Sequence, residues 1–268
     1  MSDNTDTRVK SHSQRDFIGA VLKANLLSAL NAGKGAYVPI IFMFIQNMLF
    51  MTIWVMFFNY ADNIYGWTLR EMMLLNAVVC FSFGTASVFC GGAYTLNYTV
   101  DSGGLDNFLC RPGNVLISAI FSQSRVSGLG DMLTGLALMI YVAGFNIGEW
   151  AMFFACIGAT SVLLASMIVI VQSIGFWKTN SGSLSDSLFE FIIILSSMPQ
   201  HGFPLAAKVF IFTVLPVGFM GLLPVSIFMT FNLLLFVPLY GAALVFALIA
   251  RLIFFKGLEQ YKSGNAFM

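Results

Sequence analysis

Apolar runs separated by short polar joints dominate the chain from residue 37 onward. Tyr37 to Phe58, Met72 to Thr95, Val126 to Phe145, Trp150 to Ile174 and Phe231 to Phe255 are each long and greasy enough to be a spanning helix, since crossing a bilayer takes roughly 20 apolar residues. Between the last two runs lie Ser183 to Met198 ("SLSDSLFEFIIILSSM"), which carries Asp186 and Glu190, and Phe203 to Phe228, which Pro204, Pro216 and Pro224 interrupt. The pattern predicts a fifth span in the first stretch and a re-entrant helical hairpin turning near Pro216 in the second, because broken backbone is tolerated at membrane depth only where protein or a water-filled cavity covers it. The alternative puts the fifth span at Leu205 to Phe228 and lays Ser183 to Met198 along the cytoplasmic face. The expected fold is thus all-α: a polytopic membrane protein with six transmembrane helices.

Composition agrees and narrows the class. With 58% of its residues hydrophobic, 9% charged and a mean hydropathy of +0.85, the chain could not solvate its Phe and Met side chains as a water-soluble domain. A net charge of +1 and the lack of any basic tract interleaved with aromatics give no footprint for nucleic acid. The placement of Lys and Arg is more telling, since cytoplasmic loops retain them. With both termini inside, eleven fall on the inner side and only Arg70 and Lys208 on the outer. Ahead of the first span, "RDFIGAVLKANLLSALNAGKG" has helical composition, and Phe17, Ile18, Val21, Leu22 and Leu26 share about half of its circumference. This predicts an interfacial helix on the inner leaflet, against the plainer reading of a cytoplasmic extension of the first span. The chain divides into a cytoplasmic N-terminus with that helix (1–36), the six-span transmembrane domain (37–255) and a cytoplasmic tail (256–268). The opening residues have no signal-peptide pattern, so the first span is expected to do the targeting. Cys80, Cys90 and Cys156 fall in apolar runs and, with Cys110, show no CxxC spacing, so they read as buried thiols rather than ligands.

One polar interruption is built differently from the others. In "DSGGLDNFLCRPGNV" (Asp101 to Val115), Asp101 or Ser102 can cap a short helix, Asp106 sits at its positive end and Arg111 at its negative end. Pro112 pushes Arg111 out of the helical region and stops the run. Leu105, Phe108 and Leu109 would then form an apolar face outside the membrane, suited to a protein partner; the bland alternative is a loop. Inside the membrane, Asp131, Asp186, Glu190 and Lys208 are costly at depth and are functional candidates by default, although an interfacial position would lower that cost. Gly84, Ser87 and Gly91 in the second span, and Ser124, Gly128 and Gly135 in the third, read first as helix packing within the chain, then as a dimer seam or substrate path. His12 and His201 suggest no metal pair. "NAGKGAY" holds Gly33, Lys34 and Gly35 without phosphate-loop spacing.

"GGLDNFLCRPGNVL" resembles the small-Gly-hydrophobic-acid…Leu-x-Arg-Pro-x-Asn motif of a branch of the ATP-binding-cassette type-2 exporter permeases. "YGWTLREMMLLNA" (Tyr65 to Ala77) is similar to the start of that branch's second span, and "MPQHGFPLAAKVFIFTVLPVGFMGLLPVS" to its spaced-proline region. Cys110 stands where Leu is usual, and Phe203 where Tyr is common. The resemblance implies a bacterial inner-membrane permease that pairs with a second copy or a sister permease, amid membrane lipids. It implies two cytoplasmic ATPase subunits that hold the ATP and Mg, with no cofactor in this chain and no catalysis by it. It also implies that Leu105, Asp106, Phe108, Leu109 and Arg111 couple to the ATPase groove, with Lys178 in the "FWKTNSG" turn as a smaller contact. An amphipathic or hydrophobic exported substrate follows from the expected lining. An ion-coupled secondary transporter would more often show inverted repeats with paired broken helices, and an intramembrane enzyme would need a recognisable nucleophile and base; neither pattern stands out.

Overall fold

The computed structural model describes residues 19–25, 27, 34–61, 63–64, 66–110, 113–199 and 204–261. The first apolar run is α1 (Lys34–Tyr60). The second is α2 (Leu69–Phe89), where the Thr68 hydroxyl accepts from the Glu71 amide and the Glu71 carboxylate accepts from the Thr68 amide. This reciprocal box satisfies donors that a helix start otherwise leaves open. Beyond Phe89 the chain tightens into a 3₁₀ turn at Gly91–Thr95, then forms the short helices α3 (Leu96–Asp101), α4 (Asp106–Leu109) and α5 (Val115–Ile120). The second apolar run therefore ends as regular helix several residues before Thr95.

α6 (Gly128–Ala143) runs back, ends at Gly144 with φ of 55°, and hands over to α7 (Ile147–Gln172), capped by the Asn146 side chain. α8 (Gly182–Ser196) follows a second 3₁₀ turn. The proline-spaced stretch folds as α9 (Leu205–Thr213), α10 (Val217–Met220) and α11 (Leu222–Thr230), bent by 78° across the break before Val217. Pro216 explains the break: it has no amide to donate and crowds the preceding turn. α12 (Phe236–Leu258) closes the fold.

Among the described residues, α1, α2, α7 and α12 are long and apolar enough to cross a membrane, and the bent stretch makes a fifth if it counts as one span. The expected third and fifth spans are shorter. At 1.5 Å per residue α6 and α8 reach only about 24 and 22 Å, against a hydrocarbon core of about 30 Å. Small residues explain why α6 nonetheless packs deeply. A Cβ on Gly84 would run into the Gly128 carbonyl oxygen, one on Gly128 would lie 2.8 Å from the Gly84 oxygen, and one on Gly135 2.7 Å from the Ala77 oxygen. These glycines bring α2 and α6 to backbone contact within one chain, so the packing reading of that stripe is the one observed.

α2 and α7 form the centre, joined by Phe81 on Phe153 at 5.5 Å. α12 lies along α7, with Phe254 edge-on to Phe176 at 5.4 Å and the Tyr240 hydroxyl donating to the Ala155 carbonyl. α1 stands at the periphery, packed mainly on α6, and is largely exposed. Residues 91–110 and 113–127, the turn after α7 and the end of α12 gather at one end of the bundle, called here the elbow end. At the opposite end Arg70 pairs with Glu149 at 3.4 Å. Of the expected interfacial helix, residues 19–25 and 27 are helical, with Val21, Leu22 and Asn25 half-buried and the Asn25 amide donating to the Ser122 carbonyl; Phe17, Ile18 and Leu26 lie outside the described residues. Of the cysteines, Cys156 alone is buried, while Cys80 and Cys90 are half-buried and Cys110 is exposed, so the buried-thiol reading holds for one of them.

Candidate functional site: an acidic cavity beside the elbow

The elbow is fastened to its own chain. Asn97, fully buried on α3, donates through Nδ2 to both Ser181 Oγ and Ser185 Oγ at 3.0 Å. The Asp101 carboxylate accepts from the Asn180 amide at 3.0 Å. Gly175 sits against the Asn97 amide group and Gly182 under the Tyr98 ring, where a Cβ would collide. These bonds place exposed Lys178 and Trp177 beside the elbow, so the two segments expected to touch an ATPase form one surface.

The apolar face expected on the elbow helix is divided. α4 is four residues long, its N-cap is Leu105 without a side-chain bond, and Asp101 is engaged elsewhere, so neither Asp101 nor Ser102 caps it. Leu105 is 0% exposed and belongs to the core, which corrects the expectation that it faces a partner. Phe108 is half-buried against that same core, and Leu109 is 43% exposed. Asp106 does occupy the first turn, as expected. Tyr261, just past α12, packs on Phe176 and lies beside Asp106; burial and that carboxylate push its phenol up to about 12. Arg111 lies outside the described residues.

Next to the elbow, a cavity of about 680 Å³ opens between α1, α2, α6 and α8. Asp131 lines it together with Asp186 and Glu190, which stand one turn apart on α8, while Lys208 on α9 does not. The Asp186 carboxylate accepts from Gln172 Nε2 at 2.7 Å and from the Tyr98 hydroxyl at 2.9 Å. That bond holds the Tyr98 phenol above its ordinary value. Asp131 is only 3% exposed; its Oδ1 accepts from Asn47 Nδ2 at 2.7 Å, and its Oδ2 has no hydrogen-bond partner among the described residues. Arg125 also faces the cavity, its guanidinium 4.5 Å above the Tyr94 ring. Both walls supply polar groups the hydropathy pattern passed over: Asn47, Asn76 and Gln172 are carboxamides inside apolar runs, and that was the signal available for them. Among the described residues no group of three or more His, Cys, Asp or Glu could hold a metal ion. The arrangement is suited to binding.

Apolar membrane-length helices around a polar chamber, with the elaborated connections collected at one end, define a multi-pass membrane protein. The chain belongs to the family described as ABC-2 family transporter protein, whose pattern matches residues 43–265. It is the family that the elbow, second-span and spaced-proline motifs resemble. Its members are membrane subunits of transporters, not themselves catalytic, and generally work with ABC ATPases. No curated protein and no solved structure matches the chain significantly.

Proposed function

We propose that the chain is the membrane permease of an exporter in the bacterial inner membrane, energised by separate cytoplasmic ATPase subunits that dock on the elbow and the Phe176 to Gly182 turn. The observation that carries this reading is the fusion of those two segments into one surface immediately beside the polar cavity, which gives a short mechanical path from ATPase to substrate. Six spans with both termini cytoplasmic fit the Lys and Arg distribution, and the proline breaks favour α8 as the fifth span and the bent stretch as a re-entrant hairpin. A second permease copy or a sister permease completes the path along the largely exposed α1. ATP and Mg belong to the partner chains.

Single cysteines at Asn63, Asn114 and Gly148 in a Cys-free background test the orientation. An impermeant thiol reagent added outside is expected to label the first and third and spare the second; labelling at Asn114 overturns the topology. Function is tested by reconstitution. The purified chain alone is expected to show no ATP turnover, and hydrolysis is expected only with its ATPase. Robust turnover by the isolated chain, free of contaminating ATPase, refutes the assignment.

A further inference from the structure

The cavity has a sign. Among the described residues its charged lining comprises Asp131, Asp186 and Glu190 against Arg125, whose guanidinium sits over the Tyr94 ring. Two acceptor atoms are stranded there. Asp131 Oδ2 and Gln172 Oε1 have no hydrogen-bond partner among the described residues, on side chains 3% and 1% exposed. Buried acceptors are normally satisfied, so both side chains, which line the cavity, lack the donor or positive charge that would satisfy them. Aromatic rings complete the walls: Phe83 and Phe189 stack with centroids 6.3 Å apart, and Tyr94 meets Phe189 edge-on at 5.6 Å. Aromatic faces attract cations through their ring quadrupole, and a volume of about 680 Å³ is within the range of small-molecule sites.

We propose that this cavity binds a lipophilic organic cation, its apolar body against Phe50, Phe83 and Phe189 and its charge between Asp131 and Glu190. The site reaches up from the elbow end. Asp131, bonded to Asn47 at the same level, lies about 5 Å and Glu190 about 12 Å along their helices from the helix starts, while Asn76 lines the cavity further along its helix from the elbow end. A cation entering from the elbow side would therefore exchange water for carboxylates before meeting the apolar half of the bundle. As a substrate site the inference rests on the permease reading; as a binding site it does not.

The test uses the full-length chain in nanodiscs of neutral lipid, with tetraphenylphosphonium as probe, its near-isosteric anion tetraphenylborate as comparison, and empty discs subtracted. The phosphonium is expected to bind and the borate to bind far less. Asp131→Asn and Glu190→Gln should each weaken phosphonium binding roughly tenfold, the usual consequence of losing a charged partner. Arg125→Gln should tighten it about threefold, a reversal that general damage to the fold would not produce. Glu190 is exposed, so its variant keeps the test decisive if Asp131→Asn fails to fold. Equal binding of the two ions, or phosphonium affinity unmoved by Glu190→Gln and Arg125→Gln, overturns the proposal. Adding the ATPase separates the readings: assembly and turnover without cation binding sinks the cavity proposal alone, and cation binding without assembly or turnover sinks the permease reading alone.

Discussion

Gly84→Ala is expected to lower the melting temperature of the detergent-purified chain by about 5–10 °C, the effect of losing roughly 2–3 kcal/mol in a chain this long. The new Cβ would meet the Gly128 carbonyl oxygen and the Met132 amide nitrogen at 2.8 Å. Both are backbone atoms that no rotamer change can move aside, so α2 and α6 must separate. Separation unpacks Gly135 against Ala77 and Gly128 against Ser87 as well, because the same helix pair carries all three contacts. The control is the same substitution in α12. Gly241 has nothing within 4 Å of a Cβ, so Gly241→Ala should leave the melting temperature unchanged or slightly raised, since Ala suits a helix interior better. Equal shifts for the two variants would show that α2 and α6 are not in backbone contact.

Leu109→Asp is expected to leave the isolated chain as stable as wild type yet abolish assembly with the ATPase. Leu109 is 43% exposed, and surface substitutions typically shift stability by about 0.5 kcal/mol or less. Against a groove on the ATPase the same change removes a buried apolar side chain and strands a charge, together about 3 kcal/mol or more, so affinity should fall at least 100-fold. Leu105→Ala should do the reverse, costing about 2–5 kcal/mol of fold stability, because Leu105 is 0% exposed. Phe108→Ala should show both effects in part. Co-purification with the ATPase, beside thermal melts of the chain alone, reads both quantities. A Leu109→Asp complex that assembles and hydrolyses ATP normally would end the docking proposal.

That contrast marks where sequence reading stopped. α1, α7 and α12 were legible because helices facing lipid, or buried within other helices, are apolar all round, which hydropathy detects directly. α6 and α8 were located, but their lengths fall short of a full crossing; runs such as Val126 to Phe145 continue through caps and turns that hydropathy does not register, Gly144 among them. Around the elbow, Asp106 was placed correctly because a first-turn carboxylate is a local feature. Neither Asp101 nor Ser102 caps α4, and Asp101 instead holds Asn180, a partner 79 residues away that local sequence does not reveal. Likewise, the side of α4 that Leu105 faces is decided by packing against distant segments of the core. Asp186 and Glu190 are legible as a pair one turn apart, and Asp131 stands apart from them in the third apolar run. Their convergence with Asn47 and Gln172 was not legible, because it depends on helix rotation about axes that the apolar pattern leaves undefined.

α1 forms one wall of the cavity through Met43, Gln46, Asn47 and Phe50 while committing little of its own surface to the rest of the chain. Its apolar stretch of 24 residues measures about 36 Å, longer than the roughly 30 Å hydrocarbon slab, and such a helix answers the mismatch by leaning. Its lean is opposed by the close approach of Ile40 to Gly130 and by the Asn47 to Asp131 bond, both toward the elbow half, so the far half of the wall swings more than the near half. A thicker bilayer is therefore expected to draw this wall upright and a thinner one to lay it over, so that acyl-chain length acts first on the far half of the cavity wall.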